Sequence, residues 1–177
     1  MHPKVVLAVS PWLTQEEGAQ VKELASALGV EALVVSPEPT GLKDDLLNTG
    51  DPAPNRRGLV EQGFLAQDPQ QLLARMGEAE SVLLIGERVV DLIGRDELAG
   101  LGHDLRVMVL DTVPYAGDNA CTSLGVPNYF EREGTWINVD GKTGRLYVAR
   151  PAPSGVAQLT RTLSQLLERC AEGASQS

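Results

Sequence analysis

Cysteine and histidine are scarce in this sequence, with two of each among 177 residues. Cys121 and Cys170 lie far apart and no Cys-x-x-Cys pair exists, which excludes an iron–sulfur cluster or a thiolate zinc site. His2 and His103 are too few for a histidine metal centre. Long apolar runs are missing too. None approaches the roughly 20 residues a membrane helix needs, so direct membrane insertion is not expected. The first apolar run, Val5 to Val9, stops at Ser10-Pro11 and does not read as a secretory leader, which points to the cytoplasm. Basic charge is also short, with 15 Lys and Arg against 24 Asp and Glu and a net charge of −9. Such a surface repels phosphate, so nucleic acid and anionic lipid are not expected partners.

Several catalytic and cofactor motifs fail for equally simple reasons. The turn Ser10-Pro11-Trp12-Leu13-Thr14 holds no glycine, and side chains there block the close backbone approach that a pyrophosphate requires. Gly141-Lys142-Thr143 looks like the end of a P-loop, but Trp136 stands where the first glycine is needed. A Gly-x-Ser-x-Gly elbow is absent. Cys121 has no histidine near it in sequence and reads as a small core cysteine, and Cys170 as inert packing or surface.

What is present is patterned as one domain, residues 1–171, with a frayed tail at 172–177. Val5–Val9, Ala32–Val35, Ser81–Ile85 and Arg106–Leu110 are short apolar runs that read as buried parallel strands. Between the first two, Thr14 and Glu17 form a capping box, Val21, Leu24, Ala25 and Leu28 recur at helical spacing, and Gly29 offers a C-cap. Asp68-Pro69 opens a second helix, and residues 87–101 are helical in part with a break at Gly94. Ile137–Val139 and Leu146–Val148 flank a Gly-rich turn and predict a hairpin; Ser154 is expected to cap a closing helix. The fold class is therefore α/β: an open, mostly parallel, Rossmann-like sheet with helices on both faces, plus a C-terminal β-hairpin and closing helix.

Residues 37–63 are rich in Pro and Gly and lack periodicity, which marks a functional loop or one packed on a neighbour. Arg56-Arg57 is a local basic spot, and Asp44-Asp45 reads as a solvated pair. Asp111 falls at a strand's C-terminal edge, where open α/β sheets bind ligands; the plainer reading is an acid satisfying loop backbone. Glu131 to Asn138 is the densest polar cluster. It reads as an ordered loop leading into a strand, with Glu133, Thr135 and Asn138 satisfying backbone groups.

Five segments, in order, resemble one family. Glu133-Gly134-Thr135-Trp136-Ile137-Asn138-Val139-Asp140-Gly141 resembles the Glu-Gly-Thr-x-x-Asn-x-Glu-Gly-Arg signature of molybdopterin oxidoreductases. Ala149-Arg150-Pro151-Ala152-Pro153-Ser154-Gly155-Val156-Ala157 resembles the passage that follows it. Pro54-Asn55-Arg56-Arg57-Gly58 is similar to the Asn-x-Arg-Gly segment of the complex I branch, as are Ser10 to Glu17 and Ile85-Gly86-Glu87 to its strand ends. The resemblance is to the C-terminal, molybdopterin-oxidoreductase-like α/β portion of the large iron–sulfur subunit of NADH–quinone oxidoreductase, respiratory complex I.

That resemblance implies a structural or assembly domain with no redox centre of its own, partnered by the remainder of the subunit and other peripheral-arm subunits. It would be attached through the complex to the inner face of the membrane. Iron–sulfur clusters belong to a cysteine-rich part that this sequence does not contain. Asn55, Arg56, Arg57, Gly58, Glu133, Gly134, Thr135, Asn138 and Gly141 become structural or interface residues. Gly86, Asp111, Glu133 and Asn138 are the candidates for a vestigial molybdopterin site. Two departures from the family pattern, Lys142 in place of an arginine and Asn119 to Pro127 in place of Ala-Asp-x-Val-Leu-Pro, weigh against cofactor binding. The alternatives are a pterin-guanine-dinucleotide-binding domain of a molybdenum or tungsten oxidoreductase, such as a formate dehydrogenase-like enzyme, and a free-standing small-molecule-binding module.

Overall fold

Short runs of apolar, largely β-branched residues form the middle of the sheet because both of their faces are covered. The computed structural model describes residues 4–36 and 53–174, without the side chains of residues 120, 121 and 174. Six parallel strands form the main sheet: β1 (Val5–Val9), β2 (Ala32–Val35), β3 (Leu65–Gln67), β4 (Ser81–Ile85), β5 (Arg106–Asp111) and β6 (Ala120–Gly125). Their order is β3-β2-β1-β4-β5-β6, the doubly wound arrangement in which strand order reverses between β1 and β4. The crevice at the carboxyl ends of those two strands is where such sheets place ligands.

Alternation along each strand sends successive side chains to opposite layers. Leu7, Val9, Val34 and Ile85 pack with α1 (Gln15–Leu28), Leu59 of α2 (Arg56–Glu61) and Leu163 of α6 (Leu159–Ala174). Ala8, Leu33, Leu84 and Val109 pack on the other face with α3 (Pro69–Met76), α4 (Val89–Ile93) and α5 (Arg95–Ala99). Leu7, Leu72, Leu84 and Leu163 are completely buried, each stabilising the fold by about 2 kcal/mol. The predicted capping box is present, with Glu17 N–H donating to Thr14 Oγ1 at 3.2 Å and Thr14 N–H to Glu17 Oε2 at 2.8 Å. Gly29 ends α1 at φ +67°, a left-handed conformation that costs glycine nothing. A second capping box joins Asp68 and Gln71 at the start of α3. Among the described residues no helix is long and apolar enough to cross a membrane.

The α/β class, the four predicted strands and the break at Gly94 stand, but other expectations are corrected. The sheet gains β3, of only three residues, and β6, whose Ala-Cys-Thr-Ser-Leu-Gly carries little apolar signal. Part of the expected loop is helix α2, while residues 37–52, with Asp44 and Asp45, lie outside the described residues. The hairpin strands are β7 (Gly134–Ile137) and β8 (Thr143–Leu146), so Thr143 and Gly144 are strand rather than turn. Asn138 sets that register by accepting the Asp140 and Lys142 N–H groups on its Oδ1 at 3.0 and 2.8 Å. Ser154 caps nothing: α6 begins at Leu159 after a turn in which Val156 N–H bonds Pro153 O, and it continues to Ala174, into the expected tail. Cys170 is half-buried against the α1 side of the core; the Cys121 side chain lies outside the described residues.

Candidate functional site

The crevice between β1 and β4 is closed by the chain's own side chains. Ser10 N–H follows β1 by bonding Ile85 O at 2.8 Å, and its hydroxyl donates to Glu87 O at 2.6 Å. Gly86 leaves β4 at φ +105°, a backbone that L side chains rarely adopt. A Cβ there would lie 2.8 Å from Leu13 Cδ2, so Leu13 already fills the space over the glycine.

Beside it lies Arg132, only 1% exposed. Its Nη1 donates to Glu17 Oε1 and Oε2 at 3.2 and 2.9 Å, and its Nη2 to Trp12 O at 2.8 Å and Glu87 Oε2 at 3.4 Å. Among the described residues Arg132 Nε is buried without a hydrogen-bond partner. Glu17 thus serves two purposes, closing the α1 cap and holding the guanidinium. Burial raises the Glu87 carboxyl above its ordinary value, against the opposing pull of Arg132 and the Tyr129 N–H.

Asp111, at the end of β5, occupies the third acidic position. Its Oδ1 accepts from Arg88 N–H at 2.8 Å and Thr112 N–H at 2.6 Å, and its Oδ2 from Val90 N–H at 3.4 Å. Arg88 sits at φ +61°, which turns its amide toward this carboxylate. Asp111 is therefore an acid satisfying loop backbone. Burial raises its pKa despite these donors. A pyrophosphate would need the same amides and the space Leu13 fills, next to three carboxylates, so the residues present do not fit one.

The two remote motifs that carried the family resemblance meet at the base of the hairpin. Asn55 is 1% exposed and sits between them. Its Nδ2 donates to Leu13 O at 2.6 Å, while its Oδ1 accepts from Gln15 Nε2 at 2.8 Å and from Ile137 N–H at 2.7 Å, 82 residues away. Arg57 Nη1 donates to Val139 O at 2.9 Å and packs over Gly141, whose φ is +81°. Gly58 lets α2 approach Gln15: a Cβ there would meet Gln15 Nε2. Gly134 lies against Thr14, and Thr135 donates through N–H and hydroxyl to Glu16 at 2.9 and 2.8 Å. Arg56 Nη1 bonds Ser36 Oγ at 2.7 Å.

Of the four pterin-site candidates, Gly86 and Asp111 share the β4–β5 edge, where Gly86 N–H bonds Leu110 O. Asn138 is spent on the hairpin turn. Glu133 is exposed and makes no hydrogen bond among the described residues; its neighbour Arg132 is the buried one. Glu133 instead lines a polar cavity of about 520 Å³ with Glu16, Thr135 and Arg145. Sequence reasoning passed over Arg132 because its partner Glu17 is 115 residues distant and nothing local marks it.

A second opening in this region is apolar. A cavity of about 360 Å³ is lined by Trp12, Leu13, Thr14, Pro54, Asn55, Tyr129, Trp136 and Leu146. Thr14 and Asn55 make the internal bonds described above, so its walls offer ring faces and aliphatic surface. The chain's two tryptophans both lie here, and that scarcity was the one signal in the sequence that could have found it. Among the described residues no group of three or more His, Cys, Asp and Glu is placed to hold a metal. No family model matches the chain, and no curated protein matches it.

Proposed function

We propose that this chain is a structural and assembly domain of the large iron–sulfur subunit of NADH–quinone oxidoreductase. In this reading it supports electron transfer from NADH to quinone without a redox centre of its own. The observation that carries the reading is the meeting of Asn55–Gly58 with Gly134–Gly141 at the end of β1. The residues through which the sequence resembles that subunit are spent on holding loop, helix and hairpin together. The filled crevice supports it as well, because Arg132, Glu17, Glu87 and Asp111 use the groups that a phosphate-bearing cofactor would require.

The test is native electrophoresis of membranes from the source cells, blotted for this chain and stained for NADH dehydrogenase activity. The expected result is one band carrying both. A chain that runs alone overturns the reading. The apolar cavity favours a second reading, a free-standing small-molecule-binding module. Native mass spectrometry of the purified chain separates the two: a bound mass on a solitary monomer favours the module, and a bare polypeptide in a chain that co-migrates with the activity favours the assembly domain.

A further inference from the structure

The two edges of the hairpin are finished differently. Thr135 N–H goes to Glu16 Oε2 and Ile137 N–H to Asn55 Oδ1, so neither amide is available to β8. The ladder bonds therefore fall at the facing pairs Gly134–Leu146 and Trp136–Gly144, in phase with Asn138 N–H donating to Lys142 O at 3.0 Å. Opposing residues in an antiparallel pair point the same way relative to the ladder. Arg145 and Thr143, which face Thr135 and Ile137, thus aim their N–H and C=O groups away from β7. Among the described residues nothing bonds those outward groups, and both residues are exposed. The β7 edge is closed by side chains; the β8 edge is a strand template.

The side chains on β8 specify what it fits. Arg145 shares a face with Thr143, its guanidinium lies 5.3 Å from the Tyr147 ring centroid, and no carboxylate pairs with it among the described residues. Leu146 lies on the other face with Trp136, and beyond the strand Tyr147 and Val148 are 67% and 50% exposed. A second copy of the chain pairing here through a two-fold axis would bring Arg145 and Lys142 toward their own kind, which disfavours self-addition.

We infer that the outer edge of β8 accepts an extended segment of a partner polypeptide, with acidic side chains on the Arg145 face and apolar ones on the Leu146 face. The inference deepens the assembly reading, on which it rests for the existence of a partner. Backbone pairing supplies the attachment, and the alternating side chains supply the selectivity.

The test is a titration of the full isotope-labelled chain with a short capped peptide of alternating Glu and Val, and with its Lys and Val counterpart. The expected result is a saturable shift of the Thr143 and Arg145 amide resonances with the acidic peptide, while Thr135 and Ile137 stay in place. Arg145→Pro removes one outward donor at an edge position that tolerates proline, and should weaken binding roughly tenfold. Arg145→Glu keeps the amide and should shift the preference toward the basic peptide roughly fivefold. Silent Thr143 and Arg145 amides with the acidic peptide overturn the proposal. So do shifts confined to the tryptophan cavity, or shifts that follow protein concentration alone, which assign the edge to a second copy. A silent edge in a chain that co-migrates with NADH dehydrogenase removes this site and leaves the assembly reading; an engaged edge in a chain that runs alone does the reverse.

Discussion

Carboxylates finish loose backbone at the strand ends and at the base of the hairpin, and they do so under opposite conditions. At the strand ends, Asp111 accepts three backbone N–H groups while buried, and Glu87 accepts one beside Arg132. At the hairpin base, Glu16 accepts an N–H and a hydroxyl from Thr135 on the surface. Burial raises Asp111 and Glu87 above ordinary carboxyl values in spite of their donors. At Glu16 partial burial also pushes upward, but the hydrogen bonds from Thr135, from its own backbone N–H and from Thr14 together outweigh it and its pKa is lowered. The same donor chemistry therefore gives opposite signs, and access of water decides which.

The largest test of this contrast is Arg132→Met. It removes the guanidinium between Glu17 and Glu87 and leaves Glu17, almost wholly inside, without its cation. The expected loss is about 3–5 kcal/mol of unfolding free energy, read as a fall in the urea midpoint. Adding Glu17→Gln to that variant should recover part of the loss, because the stranded charge is the main cost. A double-mutant cycle that shows no coupling would sink this account of the crevice.

Asn55→Ala follows in size. It strands Leu13 O, Gln15 Nε2 and Ile137 N–H together, and about 3 kcal/mol should be lost. Amide exchange at Ile137 should speed up, and exchange in β4, which shares no hydrogen bond with Asn55 among the described residues, should change only by the global loss.

How far the sequence reaches is decided by distance along the chain. The Thr14–Glu17 box and the Gly29 stop were legible because every partner lies within one helical turn. Strands β1, β2, β4 and β5 were legible because burial on both faces imposes an unbroken apolar run. Strand β3 was not, because Leu65 and Ala66 are exposed at the sheet edge and need no such run. The hairpin was placed a few residues late because its turn is defined by a side chain, Asn138, and not by its glycines alone. At the site, Asn55 and Thr135 were picked out as structural residues, but that each would close the same β7 edge depended on contacts across 82 and 119 residues. Arg132 had no local pattern at all.

Acidification should separate the two regions next. A carboxyl with a raised folded pKa contributes stability that is full below its unfolded value and lost as pH rises through the folded one. Glu87 and Asp111, with ordinary values of 4.5 and 3.8, should therefore make the chain more stable as pH falls from neutrality through their raised folded values toward those ordinary ones. The slope per proton cannot exceed about 1.4 kcal/mol per pH unit. Chemical denaturation across that range should show the gain in the natural chain and a smaller one in Glu87→Gln and Asp111→Asn. An unchanged slope in both variants would mean that other groups carry the dependence.

Thr135→Val probes the opposite sign and has the smallest expected effect. It removes the hydroxyl bond to Glu16 Oε1 and keeps the backbone bond to Oε2, so about 0.5 kcal/mol should be lost at neutral pH. Glu16 contributes stability above its ordinary value of 4.5, and that contribution is lost as pH falls through its lowered folded pKa. With one donor gone, the Glu16 carboxyl should titrate closer to 4.5, which carbon-detected titration of the side chain measures directly. The stability difference between variant and natural chain should then shrink on acidification, while the difference for Asp111→Asn grows. If both differences move the same way with pH, access of water is not what separates the strand ends from the hairpin base.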